Sequence, residues 1–111
     1  MNGIKGVREE PGATVVELEG KIDITNFAYI QEFAQEKIGE SDKDEFIFDM
    51  KDVTYTSSAG LRMFNAVSIV ASESGKSYKL IRLRKDIEKM FQMIGYASAF
   101  RIESEEEDEN N

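Results

Sequence analysis

Apolar positions change period several times along the chain, and each change marks an element. Residues 3–8 and 13–19 read as two strands: Thr14-Val-Val-Glu-Leu18 is rich in β-branched residues, and Pro11-Gly12 between them is a turn signal. Over residues 25–38, Phe27, Ile30, Phe33/Ala34 and Ile38 recur at helical spacing, with Thr25 or Asn26 as the N-cap. Gly39 then stands where a left-handed C-terminal residue is wanted. The apolar run Phe46-Ile-Phe48 makes 45–49 a buried central strand, and a short loop leads from it into the next element. Leu61, Phe64, Val67 and Val70 place a helix over 58–74, stopped by Gly75. Residues 77–83 alternate as a strand, with Tyr78, Leu80 and Arg82 on one side and Lys79, Ile81 and Leu83 on the other. Ile87, Met90, Phe91 and Ile94 form the stripe of a short helix closed by Gly95, and a last strand covers 99–102.

The resulting order, β-β-α-β-α-β-α-β, predicts a single α/β domain over residues 1–102. Its mixed sheet has four or five strands, with parallel pairs joined by helical crossovers and helices packed on one side. The expected core is Val16, Leu18, Ile30, Phe33, Phe46, Phe48, Leu61, Phe64, Val67, Leu80, Met90 and Phe91.

Composition narrows the chemistry. The 111 residues suit one modest core, and no apolar run approaches the length of a membrane span. The first eight residues lack the apolar stretch of a signal peptide, so a cytoplasmic location without membrane insertion is expected. The chain contains no cysteine and no histidine, which removes disulfides, thiolate catalysis, zinc fingers and His-based acid–base machinery. Of the net charge of −8, residues 103–111 carry −6, leaving −2 for the rest. Such a block of like charge reads as a disordered acidic tail. The near-neutral remainder gives no electrostatic footprint for nucleic acid. No phosphate-cradling glycine loop, hydrolase carboxylate pair or metal-binding spacing is present, so no cofactor and no catalytic activity are expected.

The richest segment is Asp49-Met-Lys-Asp-Val-Thr-Tyr-Thr-Ser-Ser-Ala-Gly-Leu61. It sets Ser57 and Ser58 at the first turn of the second helix. Serine caps unpaired N–H groups there, and the same N–H groups and helix dipole would accept a phosphate. On position alone, capping without regulation is the commoner use.

The segment resembles the signature of STAS domains, the fold shared by anti-sigma factor antagonists and the cytoplasmic tails of sulphate transporters. In the antagonist branch a strand is followed by D-x-x-x-V-x-Y and then a hydroxyl-bearing D/S-S-S/A-G-L. Here Asp49, Val53, Tyr55, Ser57, Ser58, Ala59, Gly60 and Leu61 fill those places. Upstream, Leu18-Glu-Gly-Lys-Ile-Asp23 is similar to the family's G-x-L/I-D step, so the resemblance spans about residues 5–102.

The resemblance implies an anti-sigma factor antagonist. Such a protein is not an enzyme but a module that sequesters an anti-sigma factor with serine-kinase activity while its switch serine is unphosphorylated, and a serine/threonine phosphatase resets it. Ser58 matches the phosphoacceptor because it lies two residues before Gly60, with Ser57 and Thr56 as alternates. Many members have aspartate at the preceding position, where this chain has Ser57. The implied partner surface comprises Asp23, Ser57, Ser58, Gly60, Arg62 and Met63. Asp23 otherwise reads as a turn aspartate, and Gly60 serves either close partner approach or helix–sheet packing. Met63 falls off the Leu61/Phe64 stripe and is expected to be exposed, as is Arg62. The family also contains small STAS subunits of lipid-transport ABC complexes and nucleotide-binding STAS regulators, which are the alternatives.

Overall fold

The computed structural model describes residues 2–95 and 100–104. β1 (Ile4–Glu10) and β2 (Ala13–Ile22) form an antiparallel hairpin across Pro11-Gly12. α1 (Phe27–Glu40), β3 (Glu45–Thr56), α2 (Ser58–Glu73), β4 (Ser77–Leu83), α3 (Lys85–Met93) and β5 (Arg101–Ser104) follow. The sheet order β1-β2-β3-β4-β5 repeats chain order, and every pair after the hairpin is parallel. Each of the three crossovers therefore steps in the same direction. Crossovers of the usual right hand then put all three helices on one face. The packing agrees: Ile30, Ala34 and Ile38 of α1, Leu61, Phe64 and Val67 of α2, and Ile87 and Phe91 of α3 share one core with Val16, Leu18, Phe46, Phe48 and Leu80.

An aromatic cluster fixes α2 over the sheet. The rings of Phe48 and Phe64 meet edge to face with centroids 5.3 Å apart, and Phe64 continues to Phe91 at 5.7 Å. Tyr78 is buried beside them, and its hydroxyl donates to the Phe64 carbonyl at 2.8 Å. Of the expected core, Phe33 and Met90 lie at its margin, partly buried and packed against it.

Four expectations about elements are corrected. First, residues 50–56 are not a loop: β3 continues to Thr56, paired with β2 alone through Asp52, Val53, Tyr55 and Thr56. Val53 and Thr56 are buried while Thr54 and Tyr55 are exposed, so Val-Thr-Tyr-Thr behaves as a β-rich half-buried strand. Second, Gly39 does not end α1 in a left-handed conformation. The helix runs to Glu40, and extended Ser41 turns the chain, held by Thr14 and Lys76. Gly75 and Gly95, at φ +75° and +82°, do take left-handed conformations just past α2 and α3. Third, the alternation in β4 slips at Arg82. Its φ of +59° lets Leu83 join the core with Tyr78 and Leu80, while Arg82 turns to the helix-free face. Fourth, Glu103 and Ser104 belong to β5 rather than to a tail. Residue 99 of the expected last strand and residues 105–111 of the tail lie outside the described residues.

The helix-free face carries its own small cluster, Ala13, Val15 and Ile47 with Ile81 beside it. Ion pairs fence it. The Asp49 carboxylate, 2% exposed, receives Arg82 Nη2 at 2.5 Å and Nε at 3.1 Å, Arg8 Nη1 at 3.3 Å and the Lys51 N–H at 3.2 Å. Arg8 also binds Glu10 and Glu17. Burial pushes the Asp49 carboxyl up, but these donors outweigh it and hold the group below the usual carboxylate range.

Candidate functional site

Parallel pairing of β2 with β3 sets Ile22 opposite Thr56, so both strands finish at the same end of the sheet. The Ser57 N–H donates to the Ile22 carbonyl at 2.8 Å, extending the ladder by one bond before α2 begins. The loop after β2 and the first turn of α2 are thus brought together, joined by the start of α1.

Three consecutive hydroxyls stand here, in three different environments. Thr56 is fully buried, and its hydroxyl donates to the Ser57 carbonyl at 3.3 Å. That burial removes it as an alternate phosphoacceptor. Ser57 is the N-cap: its Oγ accepts from the Gly60 N–H at 3.2 Å, and its carbonyl accepts from the Leu61 N–H. Ser58 is the first residue of the helix, exposed, and its hydroxyl has no hydrogen-bond partner among the described residues.

Gly60 is a packing residue. A Cβ built on it would clash with Thr56 Oγ1 and stand 3.0 Å from the Ile22 carbonyl oxygen and 3.1 Å from Ile22 Cγ2. The helix start rests directly on the end of β2, and Gly60 is itself buried. Gly60→Ala should destabilise the domain by about 2 kcal/mol, because overpacking outweighs the roughly 1 kcal/mol gain in helix propensity. Denaturant unfolding measures this. A neutral or stabilising substitution would show that the close approach is not required.

Asp23 makes a turn at the end of β2. Its Oδ1 accepts from the Thr25 N–H at 2.9 Å and the Thr25 hydroxyl at 2.5 Å, while its carbonyl accepts from the N–H groups of Asn26 and Phe27. These Thr25 hydrogen bonds hold its carboxyl below the usual range, so it is charged at neutral pH. The α1 N-cap is Asn26, whose buried side chain bridges backwards, accepting from the Asp23 N–H and donating to the Lys21 carbonyl.

Of the other expected surface residues, Arg62 is exposed and Met63 is not. Met63 is 1% exposed within the main core, which corrects its expected place on the partner surface. An offset of two from Leu61 still falls inside the broad apolar arc by which α2 meets both the sheet and α1.

Two residues not singled out for the surface lie at this end: Ile24 is 71% exposed and Tyr55 is 45% exposed. Ile24 had a signal, being an apolar residue that fits neither the strand alternation before it nor the helical stripe after it. The residues exposed near this end of the sheet include Ile24, Tyr55, Ser58 and Arg62, with Asp23 half-buried. Among the described residues, no group of three or more acidic side chains could hold a metal ion, and no helix is long and apolar enough to cross a membrane.

Comparisons with known proteins bear on this arrangement. Residues 5–109 match the family described as the STAS domain. Among solved structures, an anti-sigma factor antagonist from Mycobacterium paratuberculosis superposes with a TM-score of 0.80 at 16% identity, covering 92% of this chain and 86% of that one. The phosphorylated form of the Bacillus cell fate determinant SpoIIAA gives 0.67 at 14% identity, covering 95% and 93%. A sulfate transporter family protein from Wolinella succinogenes gives 0.71 at 13% identity, covering 86% and 80%. At these identities the likeness is one of fold.

Proposed function

Since this chain belongs to the STAS domain family, we propose that it is an anti-sigma factor antagonist whose partner surface is switched by phosphorylation of Ser58. The observation that carries the reading is the division of labour among the three hydroxyls. Thr56 is buried and Ser57 is committed to the cap, while Ser58 presents a free hydroxyl at the first helical position. A kinase needs such a hydroxyl, and a helix start tolerates the dianion that results.

In the unphosphorylated form, Ser58, Arg62, Asp23, Ile24 and Tyr55 dock an anti-sigma factor that is itself a serine kinase, thereby freeing a sigma factor. The kinase modifies Ser58 and is released, and a metal-dependent serine/threonine phosphatase restores the hydroxyl. The solved phosphorylated form of a structural relative supports the fold's compatibility with the modification. The protein itself performs no catalysis in this scheme.

Incubation with the cognate kinase and ATP, followed by mass spectrometric mapping, tests the assignment. Wild type should carry one phosphate on Ser58 and Ser58→Ala none. Ser57→Ala should still be modified despite losing about 1 kcal/mol with its cap. Phosphate on Ser57 would move the site by one residue. Absence of phosphate from both serines, together with association with an ABC ATPase, would replace the switch with the transport-subunit reading.

A further inference from the structure

Arg62 stands one helical turn beyond Ser58, at the i,i+4 spacing that makes two side chains neighbours on a helix surface. Both are exposed, and Arg62 has no hydrogen bond or ion pair among the described residues. Many other cations of the domain do have acidic partners: Lys5 with Asp52, Arg8 with Glu17, Lys43 with Glu9, Lys79 with Glu103 and Arg82 with Asp49. The order along the helix, anion-bearing position first and cation four residues later, is also the favourable one for such a pair. The first turn of α2 holds no acid that would compete for the guanidinium.

Building on the assignment of Ser58 as the modified residue, we propose that Arg62 is the intramolecular receptor of its phosphate. The planar guanidinium binds two phosphate oxygens as a fork, a geometry lysine cannot match. Modification then changes the surface twice. It replaces a neutral hydroxyl by a dianion, and it withdraws from the partner the exposed cation that was free to meet an acidic group. Arg62 is a positioning residue in this scheme: it holds the phosphate against the helix and takes no part in its transfer.

Phosphoserine installed at position 58 of the full chain during translation provides the test, because it requires no kinase. In 15N–1H spectra the Arg62 Nε–H signal should move downfield and exchange more slowly with water in the phosphorylated chain. In a double-mutant cycle with Arg62→Gln, phosphate and arginine should be coupled about fivefold in the folding equilibrium, as for an exposed charge-assisted pair. Arg62→Lys should keep part of that coupling, having the charge without the fork. An unmoved Arg62 signal with no coupling overturns the pairing, and so does equal coupling in the lysine variant for the bidentate geometry. Either result leaves the Ser58 switch intact. Conversely, a chain that no kinase modifies refutes the switch while the pairing is still read in the installed phosphoprotein.

Discussion

Ser58→Asp is expected to remain fully folded and to bind the anti-sigma factor at least about a hundredfold more weakly than wild type. The fold survives because position 58 begins α2, where the side chain is exposed and touches nothing that must be preserved. A carboxylate in the first turn also interacts favourably with the helix dipole, by roughly 0.3–1 kcal/mol, so the melting temperature should hold or rise slightly. Binding fails for a different reason. The surface around Ser58 presents a small neutral hydroxyl that is exposed and unpaired among the described residues. A partner seated on it removes water from position 58. Desolvating a charge that the partner has no donor to meet costs several kcal/mol, and about 3 kcal/mol already corresponds to a hundredfold in affinity. Ser58→Ala, which adds no charge, should bind within a few-fold of wild type. Calorimetric titration beside thermal melts separates the two effects. Normal binding by a folded Ser58→Asp variant would refute the electrostatic switch.

Much of this arrangement could be read from residues alone, for identifiable reasons. Helices α1, α2 and α3 were legible because their apolar residues repeat at helical spacing, and the strand cores because Val-Val, Phe-Ile-Phe and Tyr-Lys-Leu are strongly apolar or alternating. What failed were features set by tertiary contact. The end of β3 looked like a linker because Lys51-Asp-Val-Thr-Tyr-Thr is polar, yet one-sided pairing with β2 makes it a strand whose exposed positions are free to be polar. Gly39 matched the local signal for a helix stop, and side-chain contacts to Ser41 overrode it. At the site, the family resemblance grouped Asp23 with Ser57 and Ser58, and the pairing of β2 with β3 sets their two loops at one end of the sheet. Their separate hydrogen-bonding roles, the burial of Thr56 and the choice between two roles for Gly60 depend on distances across β2 and α2 that no linear pattern encodes. Met63 was misplaced because a single stripe was assumed for a helix that packs on two neighbours.

Arg82 was the other position where local pattern gave way, and it should prove the more damaging half of its ion pair to remove. Arg82→Ala is expected to cost about 3 kcal/mol at pH 7, and Asp49→Ala distinctly less. The asymmetry follows from burial. Losing Asp49 leaves Arg82 and Arg8, whose side chains are 43% and 35% exposed and can return to water. Losing Arg82 strands a carboxylate that is 2% exposed, with Arg8 and one backbone N–H as its remaining donors. Acid should narrow the difference between wild type and Arg82→Ala. In wild type the Asp49 carboxyl is held below its unfolded value, so its contribution is complete above about pH 4 and is lost as the pH falls through the folded value. Without Arg82 the burial that opposes ionisation meets fewer donors, and the folded value rises. The penalty is then greatest at neutral pH and shrinks as acid protonates the group. The backbone adds a further discriminator. Arg82 holds φ +59°, a conformation costly for any residue with a Cβ, and from there its guanidinium pairs with Asp49. Arg82→Gly should therefore be about 1 kcal/mol more stable than Arg82→Ala, although glycine is ordinarily the poorer residue in a strand. Denaturant unfolding of wild type and the three variants between about pH 2 and pH 8 measures each difference. Equal costs for Asp49→Ala and Arg82→Ala at every pH would mean that the carboxylate is not buried as the fence of ion pairs requires.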